Sequence, residues 1–509
     1  MHILALNCGS SSIKCAVIDS DTGKKALELQ VTNTGRDTSA IDTLLAELRQ
    51  RWVDLGKIDA VVHRVVHGGE RYSAPILIDT DVLAQLDALA RLAPLHNPPA
   101  TFAIRRAREL FAHAPHVAVF DTAFHATLPR RAREYALPED VRVRQGIRRY
   151  GFHGISHGDI ATRVAAQLQR SPQELRVISC HLGNGASITA IEYGRSVETS
   201  MGMTPLEGLV MGTRAGDLDA GIVLELARTM PADALANLLN ERSGLEGLTG
   251  THDMRDIERR AAEGDEPCRL ALSLYTHRIR KYLGAYAGIM GGVDAIAFTG
   301  GVGEHSALVR HRCLQRMSFL GAVLDEDRNR NATVSEKAPA HDVATDESRV
   351  RLLVLRADEE RAMAAAAAKL LASVPRPAPE LRIPIAVSAR HAHLSQPTIE
   401  QLFGPGYRLR PKVALSQEGQ FSAEETVRLL GPRGEIRDVR LMGPPRVHDQ
   451  VEISRSDEFT LGIDAPVRIS GDLANTPGVT LEGPHGRVTL TGGVICARRH
   501  IHMDPLHAG

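Results

Sequence analysis

The sequence predicts an α/β protein whose main body is built twice over, followed by a smaller β-rich module. Three observations carry that prediction. A short pattern (an apolar run, a turn of Gly, Ser and Asn, a second apolar run) occurs at residues 4–19 and again at 177–191. Run length and β-branched content make each copy a strand–turn–strand rather than a helix. Residues 373–379 read Ser-Val-Pro-Arg-Pro-Ala-Pro, and prolines at alternating positions forbid a helix and favour an extended spacer. Beyond it, short β-rich runs are separated by Gly-Pro turns at 404–405, 431–432, 443–444 and 483–484, the pattern of a small all-β or barrel-like unit.

The two turns are Asn7-Cys8-Gly9-Ser10-Ser11-Ser12 and Gly183-Asn184-Gly185-Ala186-Ser187. Small residues let the backbone approach a ligand closely, and its N–H groups can form a nest for phosphate oxygens. Either copy alone is also what an ordinary β-hairpin looks like. Two copies, each opening an α/β half of similar size, point to a duplicated fold closing on one nucleotide. Between them, 41–55 has helical spacing and 60–66 reads as a buried strand. That strand ends in Arg64 and the pair Gly68-Gly69, where α/β ligand crevices open. Helices follow at 82–92 and from 95–99 through 110, then a buried strand at 117–120 ending in Asp121. A loop at 150–157 precedes a helix to about 169, and after the second hairpin 203–219 is a Gly-rich loop. Helices fill most of 219–290, a strand at 295–298 feeds Thr299–Glu304, and 351–355 is the last strand before an Ala-rich helix at 358–371.

At 509 residues the chain has room for roughly three domains. Its 61 basic and 61 acidic residues balance, which argues against a nucleic-acid scaffold or a membrane-surface binder. Six cysteines without a CxxC pair suit a reducing compartment, where they act as small packed residues. The apolar run at 1–6 is too short for a signal peptide, and the one at 362–372 is too short to span a membrane and contains Lys369. The expected location is the cytoplasm.

Strand–loop–strand is the wrong context for a Walker A loop; no GxxxxGK(S/T) occurs and the Rossmann fingerprint is absent. Ten stretches instead occur in order: NCGSSSIK, HRVVHGGE, LAPLHNPP, FDTAFH, GFHGISH, HLGNGAS, TPLEGLVMGTRAGDLD, DMRDIE, FTGGVGE and DEE. Through them, residues 1–371 resemble the acetate kinase family, within the acetate and sugar kinase/actin-like (ribonuclease H-like) fold. The resemblance implies two kinase domains, 1–123 with 357–372 and 124–356, then a linker at 373–380 and the β module at 381–509. It also implies reversible transfer of the ATP γ-phosphoryl group to acetate, giving acetyl phosphate and ADP, with Mg²⁺ or Mn²⁺, in a homodimer. The chemistry suits such residues. A carboxylate of pKa about 4 is already ionised at pH 7 and needs no strong base. It needs alignment and relief of repulsion between two anions, so positioning and electrostatics dominate.

By motif, Arg64 and Arg214 match the family's two active-site arginines, and His153 matches the histidine that stabilises the transferring group. Asp121 matches the residue usually assigned acid/base work; it is expected here to orient Arg64 or the metal. Asn7 and Glu359 match the Mg²⁺ contacts; Val66, Leu95, Phe152 and Pro205, with Arg64, match the acetate pocket. Nucleotide contacts fall on Ser12, Lys14, His181, Leu182, Gly183, Asn184, Gly185, Asp253, Met254, Arg255, Gly301, Val302, Gly303, Glu304 and His305. His305 stands where the family usually has Asn, and Ala357-Asp358 replaces Thr-Asn, which bears on nucleotide affinity. His67, His96, His125 and His181 either hold loops by hydrogen bonds or take part in chemistry. Asp217 and Asp219 read as caps of the following helix.

Beyond the linker, His391-Ala392-His393 and His500-Ile501-His502 are two HxH pairs in strand-like contexts. Residues i and i+2 share a strand face, so each pair presents two imidazoles, and with a carboxylate they suit zinc. Through VSARHAHLS, GPPRVHDQVEIS, LGIDAPVRISGD and GVICARRHIHM, residues 381–503 resemble the phosphate propanoyltransferase family. That family exchanges the phosphate of an acyl phosphate for coenzyme A at a two-metal site. The resemblance implies His391, His393, Glu452, His500 and His502 as ligands and Arg446 as the phosphate contact. Family members continue with a further β segment carrying another histidine ligand, for which His507 is the candidate here. Three rivals stand beside these expectations. One is a sugar or glycerol-type kinase, disfavoured because two arginines and an apolar pocket suit a small carboxylate better than a polyol. The others are a propionate or other short-chain carboxylate kinase, and a non-catalytic binding or assembly role for the module.

Overall fold

The computed structural model describes residues 1–9, 12–32, 39–52, 54–94, 96–373, 390–415 and 419–498. Two compact units divide at Arg376/Pro377, inside the Pro-rich stretch.

The first unit contains two six-stranded sheets of the same design. In one, β1 (His2–Cys8), β2 (Ser12–Asp19) and β3 (Lys25–Thr32) form an antiparallel meander. Beside β1 lie the parallel strands β4 (Ala60–Val65) and β6 (His116–Phe120), with β5 (Ile76–Leu77) antiparallel on the edge. The second sheet repeats this with β7 (Arg176–Leu182), β8 (Ala186–Glu192) and β9 (Arg195–Thr199) as the meander. There β10 (Ala295–Thr299) and β12 (Arg351–Leu355) are parallel and β11 (Ala340–Asp342) is the antiparallel edge. The duplication expected from the repeated pattern is therefore present strand for strand.

Parallel strands buried on both faces need continuous apolar runs, and β6 and β10 are buried at every position. Helix Gly154–Leu168 covers one face of the second sheet through Ile160, Ala161, Val164 and Ala165. Helix Glu266–Ile289 covers the other through Ala271, Leu272, Tyr275, Ile279 and Leu283. Helix Glu359–Ser373 follows β12 yet packs on the first sheet, placing Met363, Ala364 and Ala367 among Ile3, Ala5, Ala16, Val62 and Val117. Its small residues permit that close approach, and the return brings Glu359 to the end of β1. Five of the six cysteines are buried and all are free thiols, as their scatter implied.

The second unit is one curled sheet in the order β18-β21-β17-β13-β16-β15-β19-β20, with β14 beside β15. Its strands are β13 (His391–His393), β14 (Pro411–Ala414), β15 (Phe421–Leu430), β16 (Glu435–Gly443), β17 (Gln450–Glu452), β18 (Val467–Arg468), β19 (Thr480–Glu482), β20 (Arg487–Thr489) and β21 (Val494–Ala497). Leu394, Ile399, Val439, Leu441, Val451 and Val494 form its core. Among the described residues no helix is long and apolar enough to cross a membrane.

Candidate active site

Both hairpin turns open on one cleft of about 310 Å³ in the first unit. Asn7, Gly9, Ser12 and Lys14 come from the first hairpin; Gly183, Asn184 and Gly185 come from the second. Arg64, Val66, Asp121, Phe152, His153, His181, Pro205, Arg214, Gly301 and Glu359 complete most of the wall. Residues as far as 352 positions apart are thus gathered, most of them at a strand end or in the loop after one, with Phe152 and His153 in the loop before helix Gly154–Leu168.

The first-sheet side is a closed knot of charge. Arg64, near the end of β4, forks onto Asp121 just beyond β6, with Nε–Oδ1 at 3.0 Å and Nη2–Oδ2 at 2.6 Å. Its Nη1 donates to Asn7 Oδ1 at 3.0 Å and to Glu359 Oε2 at 3.1 Å. Asn7 Nδ2 donates to Glu359 and to Glu360, at 3.0 and 2.9 Å. Behind them Lys25 pairs with Asp358 at 3.1 Å and reaches Glu360 at 3.7 Å. Burial alone would lower the Arg64 pKa, but Asp121 and Glu359 hold it above its ordinary value. Burial likewise works to raise Glu359, and Arg64, His181 and Lys14 hold it below the usual carboxylate range.

The second-sheet side is built from neutral hydrogen-bonding groups. His153 has φ +56° and precedes helix Gly154–Leu168. Its ring stacks on His181 at 4.3 Å. Burial, then His181 and Arg64, hold the His153 pKa well below the imidazole value; burial does the same to His157 and lowers His181. Ser187 Oγ lies 2.9 Å from His153 Nδ1 and 2.8 Å from His157 Nε2, while His157 Nδ1 lies 2.8 Å from Ser179 Oγ. A hydroxyl donates one proton, so this chain has a direction. If Ser179 donates to His157, His157 donates to Ser187 and Ser187 donates to His153, leaving His153 Nε2–H as its free donor. The reverse strands the proton of the fully buried Ser179 without an acceptor among the described residues, at a cost of about 1–3 kcal/mol.

Arg214 completes this side. Its Nη1 donates only to the Pro205 carbonyl at 3.4 Å and approaches Met211 Sδ at 3.9 Å. Burial lowers its pKa against the opposing charge of Glu241, and among the described residues no carboxylate forms an ion pair with it. A side chain on Gly185 would touch both Arg214 Nη1 and His153 Nε2, each 3.5 Å from its Cβ position. Gly212 has no room for one at all: its Cβ would lie 1.9 Å from Asn184 Oδ1.

Not every expected contact lines the cleft. Leu182 and Met254 lie in the apolar core, and Val302 packs against it. Asp253 caps the helix Met254–Ala262 and pairs with Arg255 at 2.7 Å; the Arg255 side chain is exposed. Glu304 is buried and accepts from the backbone N–H groups of Gly300 and Ala357, at 3.1 and 2.8 Å, tying two cleft loops together. Gly303 is buried and His305 is exposed. His125 holds a loop, with Nδ1 2.9 Å from Ser196 Oγ and Nε2 2.9 Å from the Phe152 carbonyl. His67 Nδ1 accepts from Gly69 N–H at 2.9 Å. His96 lines the cleft, and burial with Arg214 and Arg64 lowers its pKa to about 4. Leu95 lies outside the described residues. Sequence reasoning missed Ser179, Ser187 and Lys25, which look like ordinary strand residues.

In the second unit, antiparallel pairing sets His391 opposite Glu452 and His393 opposite Gln450. Ligand atoms of His391, His393 and Glu452 all lie within 4.8 Å of one another. Gln450 Nε2 donates to Glu452 Oε1 at 2.6 Å and to Ser470 Oγ at 2.8 Å. Arg446 Nη1 reaches the same Ser470 at 3.4 Å. His500, His502 and His507 lie outside the described residues.

A duplicated two-sheet fold with hairpin turns, two arginines and carboxylates on one cleft defines a phosphotransferase. Residues 24–365 match the acetokinase family, and the chain belongs to it. Residues 384–509 match the phosphate propanoyltransferase family. The acetate kinase of Sulfurovum sp. (strain NBC37-1) is 44% identical over 385 residues, covering 71% of this chain and 96% of that one. That of Thermotoga maritima is 44% identical over 392 residues, with coverage of 71% and 96%. Among solved structures, acetate kinase from Porphyromonas gingivalis aligns with a TM-score of 0.67 at 36% identity, covering 73% of this chain and 99% of that one. A propionate kinase from Francisella tularensis aligns with a TM-score of 0.66 at 36% identity, covering 72% and 98%.

Proposed function

We propose that the first unit transfers the γ-phosphoryl group of ATP to acetate, reversibly, giving acetyl phosphate and ADP. The observation that carries this reading is Arg214, a half-buried guanidinium in no ion pair among the described residues, facing the cleft that also holds His153. A cation left without a counter-ion suits an incoming anion, and charge spread over equatorial phosphoryl oxygens is what such a site stabilises. His153 Nε2–H adds a neutral donor to the same group. Asp121 holds Arg64, which would take the substrate carboxylate. Val66, Phe152 and Pro205, which line the cleft, would wall the acetate methyl.

Asn7 Oδ1 and the Glu359 carboxylate are hard oxygen donors on the cleft wall, a donor set that fits Mg²⁺ or Mn²⁺. Bound there with nucleotide, the cation would neutralise phosphate charge. Lys14, Ser12 and Asn184, which line the cleft, would hold the phosphates, and the reading divides the unit into domains 1–123 with 357–372 and 124–356. A cytoplasmic homodimer fits the free thiols and the family. The test is ATP- and acetate-dependent formation of acetyl phosphate, trapped as hydroxamate; no trapped product at saturating acetate would overturn the reading.

We further propose that the second unit exchanges the phosphate of acetyl phosphate for coenzyme A, so that the chain links acetate and acetyl-CoA. The juxtaposition of His391, His393 and Glu452 supports it. Their donors fit zinc: His393 is buried and its Nδ1 has no partner among the described residues. Arg446, which reaches Ser470, would contact the phosphate. Acetyl-CoA formation from acetyl phosphate and CoA, with and without added zinc, decides between this and a non-catalytic module; no formation in either condition favours the latter.

A further inference from the structure

Asp217 does not cap the helix that follows it. Asp219 does, accepting from Gly221 N–H at 2.9 Å at the start of helix Ala220–Leu226. Asp217 instead closes the base of the loop that carries Arg214. Its Oδ1 accepts from Gly208 N–H at 2.9 Å, and its own N–H donates to the Gly208 carbonyl at 3.0 Å. Residues 208–217 are thereby pinched into a ring. Gly208 and Gly216 have φ +109° and +72°, and a Cβ at Gly216 would lie 2.3 Å from the Leu209 carbonyl oxygen, so only glycines fit the pinch.

The pinch is anchored from outside by two residues one turn apart on helix Glu266–Ile289. Tyr282 O–H donates to Asp217 Oδ2 at 3.0 Å. Arg278 Nη1 donates to the Gly208 carbonyl at 3.0 Å and lies 3.3 Å from Asp217 Oδ2. The far end of the ring is tied by Met211 N–H to the Arg214 carbonyl at 3.1 Å and by Gly212 N–H to the Asn184 carbonyl at 2.9 Å. The guanidinium of Arg214, with no carboxylate to hold it, takes its position from this ring. We propose that Asp217, anchored by Arg278 and Tyr282, is a positioning residue that holds Arg214 against the transferring phosphoryl group, an inference that rests on the phosphotransferase reading of the cleft.

A displacement of about 1 Å in such a group can cost on the order of a hundredfold in rate. The test is a double-mutant cycle on the full chain, with kcat and both KM values measured. Asp217→Ala should lower kcat roughly tenfold to hundredfold while the KM for ATP stays within about twofold. Asp217→Asn, whose Oδ1 still accepts from Gly208 N–H while its Nδ2 no longer accepts from Tyr282 or pairs with Arg278, should recover only part of that loss, and Asp219→Ala should leave kcat unchanged. In an Arg214→Ala background, Asp217→Ala should add less than about a twofold further loss, because the two act as one unit. Multiplying losses, or an unchanged kcat in Asp217→Ala, would overturn the proposal. If Asp217→Ala does not fold, the same cycle with Tyr282→Phe decides it. Full activity in Arg214→Ala alone would instead overturn the reading of the cleft.

Discussion

The two sheets share a strand order but not a chemistry. The first brings Asn7, Arg64, Asp121 and Glu359 into a knot whose charges already satisfy one another. The second brings His153, His157, Ser179 and Ser187 into a neutral relay and leaves Arg214 without an ion pair among the described residues, with only the charge of Glu241 acting on it. The scaffold is repeated, and the residues at the strand ends differ. One side is preorganised by its own ion pairs; the other keeps its strongest charge for the ligand. Removing a cation therefore has opposite structural consequences on the two sides.

The largest expected effect is on the knotted side. Arg64→Ala leaves Asp121 and Glu359 as buried carboxylates without their cation, a loss of about 3–5 kcal/mol of stability. It should also abolish turnover; denaturant unfolding and the kinase assay together check this. A melting midpoint equal to wild type would mean the knot is not structural.

The next effect is one of pH. Buried neutral histidines have folded pKa values below their unfolded value near 6.5, so the unfolded state takes up protons first as pH falls. Their contribution is fully present above about 6.5 and declines below it. For His125 the decline runs to about 4, its folded value, which burial sets first. His125→Gln should flatten the loss of stability between pH 6.5 and 4, measured by urea unfolding at each pH. An unchanged slope would remove His125 from that account.

A smaller effect lies in the pocket. Val66→Ala widens the apolar wall, and one methylene there is worth about 1–3 kcal/mol, so the propionate/acetate ratio of kcat/KM should rise roughly tenfold. No change in that ratio would take Val66 out of the pocket. Smallest of all, ending the chain at Ser373 should leave kinase kcat within about twofold, since the two units have separate cores. A large loss would show that they fold as one.

The buried parallel strands and both hairpins were legible because each is a continuous apolar run bounded by small turn residues. The edge strands β3, β5, β9 and β11 were not, since short or half-exposed runs mix polar residues and carry no period. Arg64 and Arg214 were legible through their motifs, yet nothing in sequence distinguishes an arginine already forked onto Asp121 from one without an anion. Asp217 looked like a helix cap because it stands two residues before the real one. Ser179 and Ser187 gave no signal, because a hydroxyl acquires its role only when a strand sets it beside an imidazole.

Arg214→Ala tests the contrast between the sides most directly, with kcat and melting temperature measured on the same preparation. Turnover should fall by about 10²–10³ or more, with ATP binding nearly unchanged and the melting temperature equal to or above wild type, because a half-buried cation in no ion pair among the described residues has been removed. A near-wild-type kcat, or a drop in stability like that of Arg64→Ala, would contradict the assignment of Arg214 as the charge kept for the phosphoryl group.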